Sequence, residues 1–457
     1  MTAENSSEGF SNYHLDRVQV EAILSATAEG DRESLIGCMA ELHVADIADL
    51  LEQIEDDQRN ALVTLWGDKF NIGVLAELEE RILSEVVALL SRRQIAESVV
   101  ELESDDIVDI VADLVPEQQG LFLNALGASD RAAVQRSLAF PEGTAGRLMK
   151  PETVFVPDSW RVGDAIDFLR ARKDLPEDFH HVMLVTPKIV PVGQVSLGRL
   201  MAAGRDVLLL DIADEGVQTI PALRQQHEVA YAFSQYHLIS APVVNEHGRL
   251  VGVITIDDAM AALEDEAEED IKRLAGVGGE SLSDRGLGTA ALRFPWLFLN
   301  LATAVLASIV IARFADTIQT MVALAILMPI VASMGGNAGT QTLTVVVRAL
   351  ATRDLTHSNS SRVIKRETLI GVCNGFLFAG IVGAVAFVWF DSQTLGFVIA
   401  LAMIINMIVA NVSGILIPLG LERMRVDPAI ASSVFVTTVT DVVGFYAFLG
   451  IAAALIL

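Results

Sequence analysis

Cysteine is scarce in this chain, which contains only Cys38 and Cys373 among its 457 residues. Cys38 lies in a polar region and Cys373 in an apolar one, so the two cannot supply a disulfide framework. The lack of such a framework indicates a cytoplasmic setting for the polar region. Neither a nucleophile paired with a base nor a cluster of histidine ligands is visible, which argues against an enzyme.

Basic residues are also few. Lys and Arg number 32 against 59 Asp and Glu, and the formal net charge is −27. Residues 1–284 contain 52 of the acids and 22 of the bases, a charge of −30, whereas residues 285–457 have a charge of +3. A polyanion of this size repels nucleic acid and attracts cations, which argues against a nucleic-acid partner.

A signal peptide is missing as well, because the opening MTAENSSEGFSNYHLD contains no apolar stretch. Long apolar runs appear only in the last third of the chain. Five of them are long enough to cross a bilayer with some tilt, and they span roughly 295–313, 318–334, 367–390, 394–420 and 432–457. We therefore expect a multi-pass protein of the inner or plasma membrane, inserted by its first internal apolar helix.

Lys and Arg near the ends of membrane helices set the orientation of the chain. If the N-terminus is inside, eleven of them lie on the inner flanks and only Arg313 lies in an outer loop. This bias predicts a cytoplasmic N-terminus and, with five spans, a C-terminus outside.

Several domains are predicted before the apolar runs. ADIADLLEQI (45–54) and DDIVDIVADL (105–114) share a helical spacing of apolar residues, which suggests stacked helical hairpins in an α-helical superhelix. From about residue 140 the order becomes β-α-β-β-α, and it repeats from about 211. The predicted parts are a flexible N-terminus (1–20), a helical domain (21–140), two α/β copies (141–211 and 212–270), a connecting helix and linker (271–293) and an all-α membrane domain of five helices (294–457).

The second α/β copy resembles a cystathionine-β-synthase (CBS) domain through its turn NEHGRL, its strand VGVIT and a T-x-x-D formed by Thr255 and Asp258. The first copy is degenerate, since Ser196 takes the hydroxyl position but Arg199 stands where the acid is expected. In many CBS families T-x-x-D binds the ribose and phosphate of a nucleotide. The resemblance thus implies a nucleotide site, with ATP as a candidate, at Thr255 and Asp258. The alternative is a threonine helix cap.

An acidic run, IDDAMAALEDEAEEDIKRL (256–274), leads from the second copy towards the membrane domain. Helical spacing groups Asp258, Glu266, Glu269 and Asp270 near one side. Such a run is either a cation-sensing surface or a solvated charged face.

The last apolar run contains Asp441, which we take as the only acid inside such a run. Burying an ionised Asp at bilayer depth costs roughly 2.5–3.5 kcal/mol on insertion scales, so these carboxylates normally face a partner or a water-filled path. No Lys, Arg or His lies inside an apolar run to neutralise it, and a mobile cation is the expected counterion. The alternative is a protonated Asp441 that is bonded across a helix interface.

The second apolar run is followed by SMGGNAGTQ (333–341). Pro329 and the glycines predict an interrupted helix with free backbone carbonyls, which membranes tolerate where a cavity is lined. Asn337 lies beside Gly335 and Gly336, and its amide oxygen could accept hydrogen bonds from the waters around an ion. Asn411, in ANVSGILIP, repeats the theme. The alternative is close helix packing, because the same glycines include a GxxxG spacing.

Asp427 precedes Pro428 in VDPAIASS. An Asp N-cap with Pro at the first helical position explains this dipeptide without any ligand. An ion-binding role for Asp427 therefore rests on the resemblance that follows.

The motifs GGNAGTQ, RALATRDL, ANVSGILIP, VDPAIASS and TTVTDVVG occur in this order behind a helical domain and two CBS copies. Over nearly its whole length the chain thereby resembles the MgtE family of magnesium channels. The resemblance implies a homodimer whose membrane helices enclose a pore that closes when cytosolic acids bind Mg²⁺. It places the pore aspartate at Asp441 and the aspartate of the cytoplasmic mouth at Asp427. It assigns further Mg²⁺ binding to Asp105, Asp109, Asp258, Glu266, Glu269 and Asp270.

Three functions compete. A Mg²⁺-selective, Mg²⁺-gated channel is preferred, because Mg²⁺ is usually held through waters by one or two carboxylates. A softer metal would call for histidine ligands, and the apolar runs contain no histidine. The alternative is a cation-coupled secondary transporter or exporter that uses Asp441 as an ion or proton carrier. A nucleotide-sensing CBS regulator with a membrane anchor would leave Asp441 without a role.

Overall fold

The structure, a computed structural model, describes residues 15–99, 102–173, 175–176, 179–214, 216–278, 286–356, 358–424, 426–429 and 432–456. The chain divides into two compact units, Met1–Glu264 and Asp265–Leu457. We call the first the polar unit and the second the membrane unit. Most of the predicted flexible N-terminus, and residues 279–285 of the predicted linker, lie outside the described residues.

The first part of the polar unit is helical, as predicted. Its described helices are α1 Arg17–Glu29, α2 Arg32–Met39, α3 Val44–Gln53, α4 Asp56–Trp66, α5 Glu80–Leu89, α6 Arg92–Ser98, α7 Ser104–Asp113, α8 Pro116–Ala125 and α9 Ala128–Leu138, with 3-10 turns at Gly67–Lys69 and Ile72–Glu77. The apolar spacing seen in the sequence places Ile47, Leu51 and Val108 in one core, where each is at most 2% exposed.

Arg59 shows how this helical part tolerates a buried charge. The residue is 2% exposed, and its guanidinium donates to the carbonyls of Leu51 and Ile54 at 2.7 and 3.0 Å. It also pairs with Asp56 and Glu85, each at 2.9 Å. Because its charge is paired and its donors are used, Arg59 links α3, α4 and α5 without leaving a buried ion unsatisfied.

Two α/β copies follow. The short helix α10 Ala145–Leu148 comes first in the chain. The first copy then contains β1 Phe155–Pro157, α11 Val162–Ala171, β2 His181–Val185, β3 Pro191–Ser196 and α12 Leu197–Ala202, and the second contains β4 Ile220–Pro221, α13 Gln226–Tyr236, β5 Ser240–Val244, β6 Leu250–Thr255 and the start of α14 Ile256–Leu274. Helix α10 packs against the second copy, at β4, β6 and α13. In each copy the first strand is parallel to the second, which is antiparallel to the third. The degenerate first copy therefore has the same sheet topology as the second.

The hairpin turns of the two copies differ as the sequence indicates. In the second copy Gly248 has φ +72°, a conformation that glycine adopts without strain. In the first copy the corresponding turn places Ile189 at φ +61°. A β-branched residue in this region is strained, so the missing glycine of TPKIVPV has a structural cost.

Every secondary-structure element in the described part of the membrane unit is a helix. Its helices after α14 are α15 Gly286–Ala312, α16 Ala315–Thr320, α17 Ala323–Ala351, α18 Ser360–Phe390, α19 Gln393–Arg423 and α20 Ser432–Ile456. Of these, α15 and α17 to α20 are long and apolar enough to cross a membrane, which agrees with the five predicted spans. Leu327, Met403 and Phe448 lie in their common core and are fully buried.

One expectation for these helices is wrong. Pro329 and the following glycines were expected to interrupt the second span, but α17 continues through all of them from Ala323 to Ala351. Pro329 removes one backbone donor, yet the helix persists because its small residues let neighbouring helices pack closely against it.

Candidate ion-binding sites

Asp441 lies on α20 in the interior of a spanning helix. Its neighbour Thr440 is fully buried, whereas Asp441 itself is half-buried. Among the described residues of the subunit, no hydrogen bond and no ion pair reaches its carboxylate. The alternative of an Asp441 bonded across a helix interface thus finds no support within one subunit.

The glycines near Asn337 divide into two groups. A Cβ on Gly335 would lie 2.4 Å from Nδ2 of Asn406, and one on Gly339 would lie 2.5 Å from Val436, so both glycines permit close helix contacts. A Cβ on Gly336 would meet no described residue within 4 Å, and Asn337 is exposed. Gly335 and Gly339 therefore serve packing, while Gly336 and Asn337 face away from the bundle of their own chain.

Asn406, which belongs to none of the motifs singled out in the sequence, is fully buried on α19. Its Nδ2 donates to the carbonyl of Val331 at 2.7 Å, and no described residue forms a hydrogen bond with its Oδ1. A Cβ on Gly444 would lie 2.9 Å from that Oδ1. Asn406 is thus the point at which α17 and α20, the helices of Asn337 and Asp441, approach α19.

Asn411 also lies inside the bundle, 3% exposed. Its Oδ1 accepts from Thr342 Oγ1 at 2.8 Å, and its Nδ2 donates to the Met407 carbonyl at 2.9 Å. Both ends of the amide are used within the subunit. This favours a packing role for Asn411, and its assignment to a pore stays a prediction.

Glu367 is a second acid within a spanning helix. It opens the third predicted run, but α18 begins earlier, at Ser360, so Glu367 lies about two turns inside the helix and is only 8% exposed. The expectation that Asp441 is the only acid in these segments is therefore wrong.

The Oδ1 of Asp427 accepts from the backbone N–H of Ala429 at 2.8 Å, a contact that both an Asx turn and a helix N-cap make. Helix α20 is assigned from Ser432, and residues 430–431 before it lie outside the described residues. The role of Asp427 as the N-cap of this helix therefore stays a prediction. Its other oxygen accepts from the guanidinium of Arg273 at 2.5 Å.

Arg273 lies near the end of α14 and also pairs with Glu269 one turn earlier. We call these three residues, Arg273, Glu269 and Asp427, the Arg273 bridge. Burial, followed by the charge of Asp427, raises the pKa of Asp270, which shows that Asp270 lies near the same carboxylate. Glu266, the remaining predicted acid of this helix, is half-buried one turn before Asp270.

A second group of acids meets in the polar unit around Lys150. The ammonium of Lys150 lies 2.5 Å from Glu103 Oε2, 3.3 Å from Asp105 Oδ2, 3.4 Å from Asp257 Oδ2 and 4.0 Å from Asp258 Oδ1. We call these five residues the Lys150 cluster. It brings together Asp105 and Asp258, which the resemblance places among the Mg²⁺-binding residues.

Asp109, one turn beyond Asp105, is exposed and is not among the contacts of Lys150. Burial, followed by the charge of Asp105, raises the pKa of Asp258 to about 7. The same two causes raise the pKa of Asp106 to about 6. The carboxylates at the start of α7 and α14 are therefore hard to ionise together.

The two residues of the T-x-x-D motif, Thr255 and Asp258, form hydrogen bonds with each other. Thr255 donates to Asp258 Oδ2 through its hydroxyl at 2.7 Å and through its backbone N–H at 3.3 Å, which is the return half of a capping box at the start of α14. Thr255 also lines a cavity of about 730 Å³ with Ser240, His181 and Lys150. The helix-cap alternative thus describes the contacts of this pair, while the cavity beside it has room for a ligand.

Comparison with known proteins gives three family matches along the chain. The MgtE intracellular N domain matches residues 42–143, the CBS domain matches 211–265, and the divalent cation transporter domain of MgtE matches 328–451. The CBS match covers the second copy only, in keeping with the degenerate motif of the first.

Whole-chain relatives agree with these matches. The magnesium transporter MgtE of Thermus thermophilus is 30% identical over 95% of this chain and 98% of its own length, and that of Bacillus subtilis is 29% identical over 91% and 92%. A solved structure described as the cytosolic domain of the Mg²⁺ channel MgtE in complex with ATP is 28% identical over 53% of this chain and 99% of its own, with a TM-score of 0.49. Over nearly its full length, then, this chain belongs to the MgtE family of divalent cation transporters.

Proposed function

We propose that this chain is a Mg²⁺ channel of the cell membrane in which Asp441 binds the hydrated ion. The observation that supports this most is a half-buried carboxylate in a spanning helix with no hydrogen bond or ion pair among the described residues. Such a group is costly unless water or a cation reaches it. Mg²⁺ keeps most of its waters and needs only one or two carboxylates, so Asp441 suits it.

A homodimer would supply the second carboxylate. If the two subunits meet about a two-fold axis near α20, each contributes one Asp441 to a common path. The open surface at Gly336 and the exposed amide of Asn337 would then line that path with oxygen ligands. The apolar side chains of α15, of which few are buried within the subunit, would contact lipid or the second subunit. The basic flanks favour a cytoplasmic N-terminus.

Cytosolic Mg²⁺ would close this channel through the acids of α14 and the mouth. Asp270 and Asp427 repel each other when both are ionised, and burial makes that ionisation costlier. A divalent ion that binds between Glu266, Glu269, Asp270 and Asp427 would relieve the repulsion and hold α14 against the mouth. This regulation is a negative feedback, since the transported ion closes its own path.

A nucleotide is a further proposed ligand of the polar unit. A relative's cytosolic domain has been solved with ATP, and the cavity beside Thr255 offers polar groups from Ser240 and His181 together with an apolar wall. Asp258 faces Lys150 and Thr255 in this structure. ATP binding through Asp258 would therefore compete with these two contacts.

Mg²⁺ flux into liposomes tests the proposal. Asp441→Asn preserves shape and removes the charge, and we expect its flux to fall to that of protein-free liposomes. Asp391→Asn is the matched control, because Asp391 is exposed at the end of α18 with φ +48°, a conformation that Asn tolerates well. Full uptake by a correctly inserted Asp441→Asn protein would contradict the pore assignment.

The same liposomes separate a channel from the coupled transporter. If Asp441 carries a proton in exchange for a cation, flux will depend on a pH gradient across the membrane. A channel will follow the Mg²⁺ gradient and the membrane potential alone, and we expect this result.

A further inference from the structure

Lys150 is fixed on the second CBS copy by its backbone. Its N–H donates to the carbonyl of Val253 on β6 at 2.8 Å, and the N–H of Val253 donates back at 2.9 Å. The adjacent Gly252 allows this approach, since a Cβ there would lie 2.8 Å from the Lys150 carbonyl. The side chain of Lys150 therefore starts from a rigid point beside the strand that leads into α14.

From that point the ammonium reaches two helix starts at once. Glu103 is the N-cap residue of α7 and Asp105 lies in its first turn, while Asp257 and Asp258 belong to the first turn of α14. Acids are common at helix N-termini because of the helix dipole, but the dipole does not explain a lysine that contacts both groups. A hydrogen bond from Ser104 to Glu152, at 2.6 Å, joins α7 to the segment after Lys150.

The cluster is partly removed from water. The Asp105 side chain is 9% exposed, and those of Asp258 and Lys150 are 16% and 19% exposed. Within the described part of the chain, Asp105 Oδ1 has no hydrogen-bond partner. Burial alone would lower the pKa of Lys150, but the attraction of Asp105 and the other acids outweighs it and raises the pKa. The ammonium is therefore charged throughout the physiological range.

Within the described ranges, no three acidic, His or Cys side chains are placed so that they could hold a metal ion. The carboxylates of this cluster converge on the ammonium. Mg²⁺ would instead require near-octahedral oxygen ligands at about 2.0–2.1 Å, which these side chains do not present around Lys150.

We propose that the ammonium of Lys150 is the resident cation of this cluster and takes the place of a bound divalent ion there. The inference rests on the proposed function, in which Mg²⁺ otherwise draws the acids of this region together. Because Lys150 is tethered to the chain, its local concentration does not change with that of free Mg²⁺. The contact between α7 and α14 then persists without Mg²⁺. Cytosolic Mg²⁺ is therefore sensed by other acids, such as those near Asp427.

Hydrogen exchange of the full-length protein in detergent tests this inference. Peptides that cover the starts of α7 and α14 are compared in millimolar Mg²⁺ and in chelator at equal ionic strength. In the parent we expect equal protection in both. In Lys150→Gln we expect exchange at least about tenfold faster in chelator, because the carboxylates lose their counterion, and recovery in Mg²⁺. Lys188→Gln, a change at an exposed turn lysine, is the matched control.

Two results would overturn the inference. A parent whose α7 and α14 peptides gain protection in Mg²⁺ would show that a divalent ion binds beside Lys150. A Lys150→Gln protein that loses protection and does not regain it in Mg²⁺ would show that Lys150 is an ordinary structural ion pair. If Lys150→Gln does not fold, the inference is tested by the parent and by Lys150→Arg, which keeps the positive charge. Both are expected to show equal protection in Mg²⁺ and in chelator. Mg²⁺ flux by the same parent preparation reports separately on the proposed function.

Discussion

Carboxylates in the two units of this protein find their counterions in different ways. In the polar unit, Lys150 contacts Glu103, Asp105, Asp257 and Asp258. In the membrane unit, the Arg273 bridge neutralises Asp427. Asp441, in the middle of α20, has no such base among the described residues. A base supplied by the chain is present at every Mg²⁺ concentration, whereas the proposed counterion of Asp441 is an ion that comes and goes.

The comparison also separates the polar residues of the spans by where their side chains lie. Asn411 uses both ends of its amide within the bundle, and the fully buried Asn406 uses its Nδ2 there, at the Val331 carbonyl. Asn337 is exposed and Asp441 half-buried, and among the described residues neither forms a polar side-chain contact apart from a long 3.5 Å one between Asn337 and Ser333. Under the proposed function, these two residues are the ones that a hydrated ion could reach.

The largest effect is expected when Asp441 receives a base from its own chain, because the difference between Asp441 and the paired carboxylates then disappears. Thr437 is exposed one turn before Asp441, so a lysine there would face the same side of α20. At an effective dielectric of 20, an ammonium about 4 Å from a carboxylate is attracted by about 4 kcal/mol. We expect Thr437→Lys to lower Mg²⁺ flux at least about tenfold by competing with the ion. Thr437→Met, similar in length but uncharged, is the control, and equal flux from both variants would contradict this expectation.

Much of the architecture was predictable because it is local. Helical periodicity around Ile47 and Val108, and the length of the apolar runs, indicate the helical domain and the five spans without any tertiary information. Asp441 was visible for the same reason, since a charge in an apolar run is conspicuous. The passage of α17 through Pro329 was not, because neighbouring helices decide whether a proline ends a helix.

The two bases were harder to foresee. Glu269 and Arg273 have the i, i+4 spacing of a helical ion pair, so half of the Arg273 bridge could have been read from the sequence. Its other half, Asp427, and the contact of Lys150 with Asp258 join residues more than a hundred positions apart. Asn406 could have been found as an amide in an apolar run, by the reasoning applied to Asn411.

A change of pH should affect the buried carboxylates of the polar unit, at the starts of α7 and α14. The pKa values of Asp258 and Asp106, about 7 and about 6, lie above the ordinary value of 3.8, so the folded state binds protons that the unfolded state releases. Without Mg²⁺, the stability of the polar unit should therefore rise as the pH falls from 8 to about 5.5. This gain in stability should disappear again as the pH rises through the two pKa values. Hydrogen exchange of the α7 and α14 peptides measures this. Protection that falls on acidification over this range would contradict the assigned burial.

The Arg273 bridge should give the smallest effect. Its three side chains are about one-third to one-half exposed, and ion pairs of this kind contribute roughly 0.2–1 kcal/mol. We expect Arg273→Gln to raise Mg²⁺ flux at inhibitory internal Mg²⁺ by no more than about fivefold, because α14 is then held less firmly against Asp427. Lys272→Gln removes a neighbouring charge that pairs with Glu268, and it should leave flux unchanged. A larger rise in Lys272→Gln than in Arg273→Gln would assign the effect to net charge.

One measurement tests the central difference most directly. Asp441→Asn and Arg273→Gln are reconstituted side by side, and Mg²⁺ flux is measured under the same gradient. If a mobile cation serves Asp441 while the chain itself serves Asp427, flux will disappear in Asp441→Asn and will persist or rise in Arg273→Gln. Loss of flux to the same extent in both correctly inserted proteins, or full flux in Asp441→Asn, would contradict the account.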